Sequence, residues 1–129
     1  MTIKEILERY KRIAVVGLSN NTWRASYGVS RFMQTVGYHI TPVNPNEVEV
    51  LGEKAYSAVE EVPDPIEIVN IFRRSEFVPE IVDAAIRRGA KVIWMQEGVV
   101  HEEAAQRARA AGIEVIMDRC ILKEQMKNF

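Results

Sequence analysis

The chain has 129 residues, 47% of them hydrophobic, with 17 basic against 18 acidic side chains and a formal charge of -1. That is the length of one domain (residues 1–129) with apolar content enough for a core, and the near-cancelling charge leaves no basic footprint for nucleic acid or an anionic membrane. No apolar run approaches the roughly 20 residues that cross a bilayer, the N-terminus mixes acids among its apolar positions unlike a signal peptide, and the lone Cys120 cannot form an internal disulfide, so a cytoplasmic setting is expected.

In chain order, the sequence opens with an amphipathic helix over Ile3 to Tyr10 and a short apolar strand, Ile13–Val16. The loop "GLSNNTWRASYG" follows and leads into a helix from about Ser26. There Val29, Phe32, Met33 and Val36 fall at i, i+3, i+4 and i+7, and Gly37 supplies the stop. A second strand, His39–Val43, ends in "TPVNP". The next stretch reads as an irregular crossover carrying a possible capping box, Ser57 with Glu60, ahead of Pro63. A third strand, Glu67–Ile71, gives way to a helix with Ser75 as candidate cap, an apolar stripe of Val78, Ile81, Val82, Ala85 and Ile86, and Gly89 as its end. A strand at Val92–Met95, a helix over Glu102 to Ala111 closed by Gly112, a strand at Ile113–Met117 and a short helix around Leu122 to Lys127 complete the chain.

The five apolar runs are rich in Val and Ile and lack alternation, as strands buried on both faces of a parallel sheet do. Strand and helix alternation of this kind predicts an α/β fold: a single Rossmann-like, doubly wound domain with a mainly parallel five-stranded sheet. Its ligand crevice lies at the carboxyl ends of the strands, where the strand order reverses. Candidate site residues are therefore those that follow each strand.

After the first strand, Gly17 permits a tight turn, Ser19 and Asn20 supply polar groups, and free amides lead into the helix near Ser26, which favours a phosphate. Arg24 adds a planar cationic fork suited to phosphate oxygens. The glycine spacing is not G-x-G-x-x-G, and where a dinucleotide-binding strand ends in an acid that holds ribose hydroxyls, this one ends in Val43, Asn44 and Pro45. An uncharged strand end does not repel a phosphorylated ribose, which points to an adenine nucleotide other than NAD. After the third strand, Ile71, Phe72 and Arg73 offer apolar surface and charge, with one of the pair Arg73 and Arg74 expected toward a phosphate. After the fourth, Gln96, Glu97 and Gly98 sit where a ligand's polar groups are read, while Trp94 is read as core. His39 and His101 have no partners in the sequence and are read as structural.

The strand ends "GLSNNTWRASYGV", "TPVNP", "VLGEKAY", "NIFRRSE", "WMQEGV" and "MDRC" together resemble the stand-alone CoA-binding proteins of the YccU-like family, which are similar to the N-terminal domain of the succinyl-CoA synthetase α subunit. The similarity runs from about Lys11 to Leu122. It implies a Rossmann-like fold that binds coenzyme A, with Gly17, Ser19, Asn20 and the helix start near Ser26 at the pyrophosphate and Arg24 nearby. It also implies Val43, Asn44 and Pro45 near the adenosine, and Ile71, Phe72, Arg73 and the turn of Gln96, Glu97 and Gly98 along the rest of the groove. The synthetase's phosphorylated histidine lies in a second domain for which this chain leaves no room, so no catalytic residue and no ligase chemistry by the chain alone are expected. The function expected is binding of CoA or an acyl-CoA as a small-molecule ligand, with a homo-oligomer or a partner subunit as possible company. The alternative is an NAD(P)-dependent oxidoreductase, or a CoA-handling subunit completed by a partner protein. If the thiol-bearing arm of CoA reaches the last strand, Cys120 could join it as a mixed disulfide.

Overall fold

The computed structural model describes residues 1–129. In order they form α1 (Ile3–Arg9), β1 (Arg12–Val16), α2 (Ala25–Thr35), β2 (His39–Val43), β3 (Glu49–Val50), β4 (Glu53–Lys54), β5 (Ile68–Ile71), α3 (Val78–Arg87), β6 (Val92–Met95), α4 (Glu102–Ala110), β7 (Glu114–Ile116) and α5 (Ile121–Asn128). Five strands make one all-parallel sheet in the order β2-β1-β5-β6-β7, and β3 pairs antiparallel with β4 in a separate hairpin. The expected Rossmann-like α/β architecture is therefore the one observed. No helix is long and apolar enough to cross a membrane.

The sheet register explains the unbroken apolar runs. Ile13, Ile68 and Val92 lie side by side across β1, β5 and β6, as do Ala14, Val69 and Ile93 one residue further on. The first row packs beneath α1, α2 and α5 with Ile6, Met33 and Ile121, and the second beneath α3 and α4 with Val82 and Ala105. Because each face is covered, every second residue points into one core and the rest into the other, so no position is left for a polar alternation. Each fully buried Ile or Val contributes about 1.5–3 kcal/mol relative to exposure. Asn70 is the exception, buried in the row of Val15 and Trp94 with its Oδ1 unpartnered.

Three local readings change. Ser57 and Glu60 form no capping box: Ala58 precedes a single 3-10 turn over Val59–Glu61, and the Ser57 hydroxyl donates to Glu61. Ser75 does not cap α3, because it lies in a 3-10 turn ahead of it, where its Oγ accepts from the Val100 amide at 3.0 Å. The crossover also contains the β3–β4 hairpin, whose Leu51 and Gly52 both take positive φ (54° and 78°), the conformation that two-residue hairpin turns demand. Of the other helices, α1 and α4 have side-chain caps and α2 and α5 have none. Thr2 and Glu5 form a reciprocal capping box on α1, and the His101 Nδ1 accepts from the Ala104 amide at the start of α4, which gives that histidine the structural role expected of it.

The sheet continues past β1 by two hydrogen bonds, Gly17 N–H to the Val43 carbonyl (2.8 Å) and Phe72 N–H to the Val16 carbonyl (2.9 Å). Gly17 has φ +93°, and a Cβ built on it would lie 2.4 Å from the Phe72 carbonyl oxygen. Glycine is required there on both counts. Gly17→Ala is expected to destabilise the fold by more than about 2 kcal/mol, from backbone strain plus the backbone clash; urea unfolding checks it, and a loss under about 0.5 kcal/mol would show that the strand ends can separate.

Helix α1 docks through Tyr38, whose hydroxyl donates to the Leu7 carbonyl at 2.8 Å. Burial pushes the Tyr38 hydroxyl above its ordinary value. Its contribution to stability is therefore complete below about pH 10 and lost as pH rises through the raised value. Tyr38→Phe is expected to cost about 0.5–1.5 kcal/mol at neutral pH and to flatten the alkaline limb of the stability profile; an unchanged limb would take Tyr38 out of it.

Candidate functional site

The strand order reverses between β1 and β5. The chain leaves β1 through α2 for β2 on one side, then returns across the sheet to β5 on the other. The ends of these neighbouring strands carry diverging loops, and a groove opens between them. It has a volume of ≈ 970 Å³ and runs from Gly17, Ser19 and Arg24 past Val43, Asn44 and Pro45 to Phe72, Arg73 and the face of α3 at Glu80 and Ile81. A second groove of ≈ 490 Å³ lies on the other side of Phe72, lined by Gln96, Glu97, Cys120, Leu122 and Lys123 together with Val99 and the start of α2. Phe72 belongs to both.

The site is built on a frame of polar side chains that bond to the backbone of neighbouring loops. The Asn44 amide donates to the Leu18 carbonyl at 3.1 Å and its Oδ1 accepts from the Asn46 amide at 2.9 Å, so it ties the β1 loop to the β2 loop. The Ser26 hydroxyl, buried in α2, accepts from the Ser19 amide at 3.3 Å. Gln96 is buried, and its Oε1 accepts from the Ile121 amide at 2.9 Å, the first orphan donor of α5. The Gly98 amide donates to Asp118 at 2.7 Å. Trp94 is fully buried, as the sequence indicates, and its Nε1 reaches the Arg119 carbonyl at 2.8 Å.

The charges divide sharply. Of the arginines that line the first groove, Arg74 pairs with Glu76 at 3.4 Å and Arg87 with Glu60 at 2.6 Å, which holds the Glu60 carboxyl below the usual range. Arg24 and Arg73 have no carboxylate partner. Arg73 stacks on the Phe77 ring at 4.3 Å and its Cδ lies against Gly17, so its guanidinium is oriented without being neutralised. Beside the second groove, Lys123 pairs with Glu97 at 2.9 Å, and that carboxylate raises the Lys123 ammonium.

The structure thus brings Gly17, Ser19, Arg24, Val43, Asn44, Pro45, Phe72 and Arg73 together around one groove, and Gln96 and Glu97 around the adjoining one. Ile71 is wholly buried in the sheet, and Ser26 and Gly98 support the walls without lining them. Asn20 lines neither groove: its backbone amide and side-chain amide both donate to Glu47, at 2.8 and 2.9 Å, and the side chain also reaches the Glu49 carbonyl. Those bonds hold the Glu47 carboxyl below the usual range, the Asn20 backbone amide first. Glu47 itself lines the first groove, so the region beyond β2 does carry an acid. The sequence reading missed it because it lies four positions past the strand, outside any motif.

Residues 11–126 match the family model of the CoA binding domain. The Bacillus subtilis (strain 168) protein YneT is 53% identical over 119 residues, spanning 92% of this chain and 88% of that protein. A solved structure of a protein from Pyrococcus horikoshii OT3 superimposes with a TM-score of 0.94 at 41% identity, covering 97% of this chain and 88% of the other. The α subunit of acetate-CoA ligase [ADP-forming] I of Pyrococcus furiosus is 28% identical over 87% of this chain, which spans only 28% of that subunit. With a match over nearly its whole length, the chain belongs to the CoA-binding domain family.

Proposed function

We propose that the paired grooves hold coenzyme A or an acyl-CoA, bound without turnover by any group of this chain. The observation that carries the reading is the pair of guanidiniums, Arg24 and Arg73, left unneutralised along a groove at the switch point of a CoA-binding-family sheet. Cationic forks without carboxylate partners are suited to phosphate oxygens, and a ligand bearing a diphosphate and a further ribose phosphate supplies three phosphates. The polar end of the ligand occupies the first groove. Its neutral, thiol-bearing arm passes Phe72 into the second, where the Gln96 amide nitrogen faces no protein acceptor.

The likeness to the α subunit of an acetate-CoA ligase supports a second arrangement, in which a partner protein supplies chemistry and this chain supplies the nucleotide site. Both arrangements require CoA to bind first. Calorimetric titration is expected to show CoA binding and no comparable binding of NAD or NADP. Arg24→Ala and Arg73→Ala are each expected to weaken CoA by about 1.5–3 kcal/mol, a loss of roughly 10- to 150-fold. Tight NAD binding without CoA binding overturns the reading, and unchanged affinity in either variant removes that arginine from the phosphate site.

Cys120 lines the second groove at the entry to α5. Its thiolate can attack one sulfur of CoA disulfide; the disulfide bond breaks, a protein–CoA disulfide forms, and one CoA leaves as the thiolate. Intact-mass spectrometry after treatment with CoA disulfide is expected to show one added CoA per chain, and none in Cys120→Ser. An unmodified chain, under conditions that modify an accessible control thiol, would place the arm elsewhere.

A further inference from the structure

The anion expected at the β1 loop is already there, and it belongs to the protein. Glu47 presents one carboxylate oxygen to the backbone amide of Asn20 and the other to its side-chain amide, at 2.8 and 2.9 Å. This two-pronged grip resembles the way an amide-lined loop holds a phosphate, with two donors converging on two oxygens of one anion. Glu47 also lines the first groove, as Arg24 and Arg73 do, whereas Asn20 does not. The carboxylate therefore stands between the groove and the donors of the loop.

We propose that Glu47 is an internal latch: a carboxylate that occupies the anion seat of the β1 loop in the free protein and is displaced when a diphosphate enters. The inference rests on the reading of the groove as a nucleotide diphosphate site. The latch has what displacement needs. Glu47 follows Pro45 and Asn46, both exposed, in a segment outside the main sheet. Its hold on the loop consists of side-chain bonds, while Asn44 fixes the backbone just before it through Leu18 and Asn46. Withdrawal of the carboxylate thus leaves the β2 end in place and frees two donors of the loop that leads to Arg24. A ligand phosphate must replace an anion already paired, so part of its binding energy is spent on exchange, and the protein discriminates against anions too weak to complete it.

The test uses the full chain with inorganic diphosphate and with CoA as separate probes. Calorimetry on Glu47→Ala is expected to show inorganic diphosphate bound at least tenfold more tightly than by the unsubstituted protein, with Glu47→Gln, which keeps one acceptor, in between. Glu53→Gln removes a charge from the neighbouring hairpin and is expected to change diphosphate affinity less than twofold, which separates a vacated seat from a general loss of negative charge. Hydrogen exchange read by NMR is expected to show a protected Asn20 amide that becomes labile in Glu47→Ala. Equal or weaker diphosphate binding in Glu47→Ala, or an Asn20 amide that exchanges alike in both proteins, overturns the latch. Diphosphate bound more tightly by Glu47→Ala, with no CoA binding by any variant, upholds the latch and sinks the CoA reading; strong CoA binding with diphosphate affinity unmoved by Glu47→Ala does the reverse.

Discussion

The architecture turns on one close approach. At Gly17 the chain leaves β1 while still hydrogen-bonded to Val43 on one side, and the carbonyl of Phe72 crowds in from the other to a distance that no side chain permits. The two neighbouring strand ends can then run side by side to the rim of the sheet before their loops diverge. The crevice is a consequence of that closeness, because the loops part only after the backbones have been held together. Arg73 inherits its place from the same contact, since it is the next residue after Phe72 and its methylene stem lies against the glycine.

Around this point the polar residues fall into two populations. Asn44, Gln96, Ser26 and Asp118 spend hydrogen-bonding groups on backbone partners and fix loops that would otherwise wander. Arg24 and Arg73 spend theirs on nothing in the protein, although Glu47, Glu60 and Glu80 line the same groove. A guanidinium in such a groove without an ion pair is held by something other than a carboxylate; for Arg73 that is the face of the Phe77 ring. Loop rigidity is therefore supplied by side chains bonded to backbone, while the guanidiniums of Arg24 and Arg73 stay free of carboxylate partners.

Much of this was legible in the chain itself, for reasons that can be named. The five strands showed because their covered faces favour apolar residues such as Val and Ile, most completely in β6 and from Ile13 onward in β1, and the helix ends showed because Gly37, Gly89 and Gly112 each take positive φ there. Topology directed attention to the residues after each strand, of which Gly17, Asn44, Phe72 and Gln96 line a groove while Ile71, Asn20 and Gly98 do not. The hairpin did not show, since Leu51 adopts a positive φ that sequence associates with Asn or Gly. Asn20 was legible as a polar loop residue, but its partner was not, because Glu47 lies 27 positions away and meets it only in the fold. The same holds for Gln96 and Ile121, 25 positions apart. Local pattern reports which residues line a strand end; it cannot report which of them are already engaged.

Phe72 stands as a post between two rooms. Any single occupant of both, as proposed above, would run past that one benzyl ring, so a change at Phe72 alters the boundary of both spaces at once.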